Sequence, residues 1–151
     1  MVTIEPKLAR RIVESLGSSG QPPEYGVGTF TVGLEPYLDV IRDEYLSSFV
    51  QDGGSAFKLV VGIYGGGKTH FLYNVRDMAW DQNYAVSYVS LKSSGECPFY
   101  RLDLVYKAMA TGILPPMQPD DRNPNDLRGM PNFLRAWYSQ RYMHYQSLEL
   151  S

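Results

Sequence analysis

The chain has 151 residues, 44% hydrophobic and 20% charged, which is enough apolar material for a packed core and too much for a disordered or low-complexity chain. A formal net charge of −2 provides no global basic surface for nucleic acid. Cys97 is the single cysteine, so no internal disulfide forms, and no stretch approaches the roughly 20 apolar residues of a membrane span. Glu5, Lys7, Arg10, Arg11 and Glu14 leave no apolar signal region near the start. A reduced, cytoplasmic protein with no membrane partner is expected.

In chain order, Pro6–Leu16 predicts a short amphipathic helix. Leu8, Ile12, Val13 and Leu16 share a face, Pro6 suits the first turn, and Gly17 suits the stop. Gly17 to Pro23 reads as a linker, and Thr29–Val32 as a brief extended stretch closed by Gly33. Leu34, Leu38, Ile41, Tyr45 and Phe49 recur at helical spacing and predict a helix over 34–50, ended by Asp52-Gly53-Gly54-Ser55. Phe57–Val61 is short, apolar and β-branched, and predicts a strand running into the glycines of 62–67. Phe71, Leu72, Val75, Met78 and Ala79 then form a helical stripe ending near Asp81, and Tyr84–Leu91 alternates as a strand. Strand, glycine loop, helix and strand make a βαβ unit, which predicts a parallel sheet. Phe99–Ile113 predicts a further helix with Leu102, Val105, Tyr106 and Met109 on one side. Residues 115–128 read as a Pro-rich loop, and Pro131 opens a last helix bearing Phe133, Leu134, Trp137, Tyr138 and Tyr142.

The segment that carries chemistry is Gly62-Ile-Tyr-Gly-Gly-Gly67-Lys68-Thr69, which satisfies the phosphate-loop (Walker A) pattern G-x-x-x-x-G-K-[ST]. A triphosphate must be held without bulky side chains in the way. Gly62, Gly65, Gly66 and Gly67 allow backbone N–H groups to curl around a phosphate, and the following helix adds its positive dipole end. Lys68 supplies a point charge to the β- and γ-oxygens, and Thr69 offers a hydroxyl to Mg²⁺. A tight turn alone needs one or two glycines, not four followed by Lys-Thr. Tyr64 within the loop and His70 just after it complete the candidate set, His70 in a packing or supporting role.

Hydrolysis needs more. No run of four apolar residues followed by Asp or Glu occurs after residue 70, so a Walker B carboxylate is not recognisable and no catalytic residue is assigned. Asp77, Asp81, Asp103, Asp120, Asp121, Asp126 and Glu149 read as solvated surface groups, His144 as surface and Cys97 as an inert loop thiol. The last helix interleaves Arg135 and Arg141 with Trp137, Tyr138, Tyr142 and Tyr145. Residues 120–151 nevertheless hold four arginines against three aspartates and one glutamate, so charge does not support a DNA partner, and an amphipathic packing helix is expected. No Asn-Lys-Xaa-Asp segment reads guanine.

Gly28-Thr-Phe-Thr-Val-Gly33-Leu-Glu35, Phe57 to Leu72 with its Gly-Lys-Thr-His-Phe-Leu core, and Val86-Ser-Tyr-Val-Ser-Leu91 together resemble the BREX-type ATP-binding proteins, BrxD-like members of the AAA+ superfamily associated with bacterial phage resistance. The resemblance covers about residues 8–115. It implies an α/β fold of the P-loop NTPase (AAA+-like) class, ATP and Mg²⁺ as cofactors, and other defence-system proteins or further copies of the chain as partners. It also implies that Phe30, Val32 and Gly33 lie on the adenine side, with Leu34 standing where related ATPases carry arginine. Family members continue into an acidic-strand motif, sensor residues and a helical lid, so this chain is expected to be the N-terminal part of an ATPase with an incomplete core. The expected division is 1–28, an N-terminal helix and linker; 29–114, the nucleotide-binding core; and 115–151, the Pro-rich loop and last helix. The alternative is an ATP-gated scaffold that binds nucleotide without hydrolysing it.

Overall fold

The computed structural model describes residues 6–19, 23, 26–91, 99–117 and 127–149. Cys97, most of the expected Pro-rich loop and the side chain of His144 lie outside the described residues. The chain forms two compact units, Met1–Gln82 and Asn83–Ser151. Among the described residues the first unit is helical and the second adds one small two-stranded sheet to its helices, a mixed α/β composition.

In the first unit, α1 (Pro6–Ser19) extends past Gly17, which therefore does not stop it. Arg10 pairs with Glu14 one turn on, and Ser18 Oγ donates to the Ser15 carbonyl. Ile12 is buried while Val13 and Leu16 are exposed, so the buried stripe is narrower than the spacing implied. The extended stretch expected at 29–32 is instead a 3₁₀ turn, Val27–Thr29, followed by a tight bend at Phe30. Local hydrogen bonds override β-branching there. The amides of Thr29 and Phe30 donate to the carbonyls of Gly26 and Val27 at 3.1 and 3.3 Å, and Thr29 Oγ1 donates to Gly26 O at 2.6 Å. Val27 is completely buried and anchors the turn.

The expected helix over 34–50 forms as α2 (Glu35–Val40), continued by a π-helical segment, Ile41–Val50. Its wider hydrogen-bond spacing shifts the inward face, so Leu46 and Val50 are half-buried and Phe49 is exposed. Asp52-Gly53-Gly54 ends it as predicted. The Gly54 amide donates to Phe49 O at 2.8 Å, and a Cβ on Gly54 would lie only 2.5 Å from that oxygen, so the turn closes only around glycine.

Residues 57–61 do not form the expected strand. They carry no strand structure, and Phe57, Leu59 and Val61 are exposed. A strand exists only as part of a hydrogen-bonded ladder, and no partner lies beside this segment among the described residues. Lys58 ties it to the π-helical segment, its ammonium reaching the Tyr45 hydroxyl and lying 3.7 Å from the ring centroid. The glycine loop then enters α3 (Lys68–Asp81), as predicted. The buried face of α3 is Tyr73, Asn74, Arg76, Ala79 and Trp80, rotated from the expected stripe, and Leu72 is exposed. The Arg76 guanidinium lies 4.6 Å from both the Tyr73 and Trp80 rings and pairs with Asp77 at 2.8 Å, which keeps a buried charge partnered. Asp77 is therefore not the solvated surface group expected.

In the second unit, the strand expected at 84–91 shrinks to β1 (Val86–Ser87). It pairs with β2 (Ile113–Leu114) antiparallel, Val86 opposite Leu114 and Ser87 opposite Ile113. The parallel sheet of a βαβ unit is thus not what the described residues form: the pairing runs to the later strand, across α4 (Leu102–Gly112). Helix α4 starts after Phe99 and Tyr100 rather than at Phe99. Of the expected inner side, Leu102, Tyr106 and Met109 are exposed and Val105 is half-buried, together with Leu104 and Ala108. Ser87 Oγ donates to Met109 O at 2.9 Å and the Gly129 amide to Ile113 O at 2.8 Å, fastening β1 to α4 and the approach of α5 (Met130–Glu149) to β2. Leu114, Pro115 and Met117 form the core. Most of the expected packing residues of α5 turn outward: Phe133 is half-buried, but Leu134, Trp137, Tyr138 and Tyr142 are exposed, with Tyr138 and Tyr142 stacked at 6.3 Å.

Candidate functional site

The glycine loop and the N-terminus of α3 form one continuous turn. The Gly66 amide donates to Ile63 O at 3.1 Å, and Phe71 N to Gly67 O at 2.9 Å starts the helical ladder. Gly65 and Gly67 both take left-handed backbone conformations, φ 75° and 76°, flanking Gly66. The first turn of α3 contains no acidic residue, so its unpaired N–H groups and positive dipole end are not neutralised from within.

Lys68 folds back across the loop. Its Nζ donates to Gly62 O at 2.9 Å and Ile63 O at 2.6 Å, which leaves one of three ammonium protons for another acceptor. A positive charge is thereby held over the glycine loop. This donor set fits a phosphate. Thr69 is half-buried next to it, and Tyr64 is fully exposed. Among the described residues no group of three or more His, Cys, Asp or Glu is placed to hold a metal ion. Gly67→Ala is expected to cost about 1–2 kcal/mol, since a Cβ disfavours the left-handed conformation; the check is the urea midpoint against that of Gly62→Ala, whose Cβ would meet only ordinary contacts with Lys68.

His70, in the same first turn, joins this loop to the 26–33 segment. Its Nε2 lies 2.8 Å from Thr31 Oγ1, and its ring centroid lies 5.1 Å from that of Phe30. Thr31 Oγ1 also lies 2.7 Å from Val27 O and 3.0 Å from Asn74 Oδ1, while Asn74 Nδ2 donates to His70 O at 2.9 Å. Of the residues expected on the base side, Phe30 is therefore brought onto the loop helix. Val32 is 87% exposed and Gly33 turns the chain at φ 79°. Sequence reasoning missed Thr31 and Asn74. Asn74 was findable, four residues after His70 and so on its face, whereas Thr31 lies in no local pattern.

Burial lowers the His70 pKa below its ordinary value, so the imidazole is neutral at pH 7. The unfolded chain then binds the extra proton first. Stability from this group is present above about pH 6.5 and lost as pH falls toward the lowered folded value. The urea midpoint should fall between pH 7.5 and 5.5, and fall less in His70→Gln.

Among the described residues no helix is long and apolar enough to cross a membrane. No curated protein and no solved structure matches the chain. Residues 4–121 match the family described as BREX system ATP-binding protein BrxC/D.

Proposed function

The chain belongs to the BREX system ATP-binding proteins of the BrxC/D family, and from that premise we propose that it binds ATP through a Walker A loop at residues 62–69. The observation that carries this reading is the Lys68 ammonium held over a loop whose two left-handed glycines run directly into a helix N-terminus free of acidic residues. In this reading the backbone of Gly65, Gly66 and Gly67 forms the cradle for the β-phosphate. Lys68 bonds the β- and γ-oxygens, and Thr69 contributes its hydroxyl to Mg²⁺, which the phosphates otherwise hold. Phe30, Val32 and Gly33 form the base side. The parent architecture is a P-loop NTPase of the AAA+ type, and the role is in phage defence.

The test is titration of the chain with a fluorescent ATP analogue, with and without Mg²⁺. Saturable binding that ATP and tripolyphosphate displace, and adenosine does not, is the expected result; binding displaced by adenosine alone overturns the phosphate-centred site. A second reading, an ATP-gated scaffold, is favoured by one observation: no run of four apolar residues after residue 70 is followed by Asp or Glu. Phosphate release separates the two, since a scaffold binds the analogue and releases none.

A further inference from the structure

Thr31 has one hydroxyl proton and three close polar neighbours, and their chemistry fixes who donates. Val27 O is an acceptor only. The bond from Asn74 Nδ2 to His70 O sets the Asn74 amide so that Oδ1, another acceptor, faces Thr31. The two carbonyl oxygens compete for the one hydroxyl proton while a lone pair on Thr31 Oγ1 can receive a proton from His70, so the arrangement that makes the most hydrogen bonds carries the ring proton on Nε2. The three side chains are part-buried and come from positions 39 and 43 residues apart in sequence, so the cluster is a specific long-range tie rather than local capping. On one side it grips the turn anchored by buried Val27. On the other it grips the helix turn that carries Lys68 and Thr69.

We propose that Thr31, His70 and Asn74 form a latch coupling the 26–33 segment to the phosphate loop, with His70 the positioning residue that sets the base side once the phosphates are seated. This rests on the nucleotide site at residues 62–69. Rotation of the first turn of α3 by a bound phosphate moves His70, and His70 moves Thr31 and the Phe30 ring packed on it.

The unaltered chain provides the first test. Tripolyphosphate, which has no base, should slow hydrogen exchange at the amides of Thr29 and Phe30 as well as within 62–71; protection confined to 62–71 overturns the latch. Thr31→Val and His70→Ala should each weaken ATP-analogue binding about 3- to 10-fold while leaving tripolyphosphate affinity within about twofold. The double variant should be no weaker than either single one, and His70→Gln, whose amide reaches the Nε2 position, should recover most of the loss. Equal losses for both ligands mean a merely structural role and overturn the proposal. Lys68→Ala separates the two levels: if it leaves both ligands bound, the nucleotide site itself is wrong, whereas if it loses both while Thr31→Val changes neither, the latch alone fails.

Discussion

Replacing Lys68 with alanine is expected to weaken binding of a fluorescent ATP analogue roughly 10- to 150-fold, corresponding to one charge-assisted hydrogen bond of about 1.5–3 kcal/mol. The loss has two sources. The ammonium that offers a proton to the phosphates is removed, and so are its two bonds to Gly62 O and Ile63 O, which span the loop. Lys68→Arg distinguishes them. Guanidinium keeps the charge and has donors for the carbonyls, but its planar fork replaces a compact point charge, so intermediate affinity is expected. Equilibrium titration by fluorescence anisotropy reads both variants, and circular dichroism should show both folded, because Lys68 is only half-buried.

The largest effect on stability is expected from Trp80→Ala. Trp80 is 2% exposed, and truncating a buried tryptophan costs about 3–5 kcal/mol, against a typical total of about 5–15 kcal/mol for a domain. It also strips one aromatic face from the Arg76 guanidinium, which lies equally close to the Tyr73 ring. Arg76 would keep Asp77 but gain a cavity beside a buried charge. Thermal unfolding followed by circular dichroism should show Tm lower by at least about 10 °C, with Trp80→Phe recovering part of the loss. An unchanged Tm in Trp80→Ala would show that the α3 core contributes little.

The helices were legible because their signals are local. Pro6, the 34–50 periodicity, Asp52-Gly53-Gly54 and Pro131 each announce a start, a face or a stop, and the chain follows them to within a few residues. Strands were not. Phe57–Val61 and Tyr84–Leu91 have β composition, yet pairing depends on which segment lies alongside. The first has no partner among the described residues, and only Val86 and Ser87 of the second find one, in Ile113 and Leu114. Helix faces were read with the same bias. In α4 and α5 most of the large aromatic and aliphatic residues taken as inward face out, because periodicity does not record which elements lie opposite a stripe. At the site, the glycine turn into α3 was legible because left-handed backbone at Gly65 and Gly67 calls for residues without a Cβ. The Thr31 and Asn74 contacts to His70 were not, since a hydrogen bond across 39 residues leaves no local trace.

The central claim is that residues 65–69 are where nucleotide meets this chain, and it is tested most directly by titrating ¹⁵N-labelled protein with Mg²⁺–ATP and following its amide resonances. Saturable shifts of the Gly65, Gly66, Gly67, Lys68 and Thr69 amides, with the same midpoint as analogue displacement, are the predicted result. Saturable binding that leaves those five amides unmoved, with shifts gathered elsewhere, would contradict it.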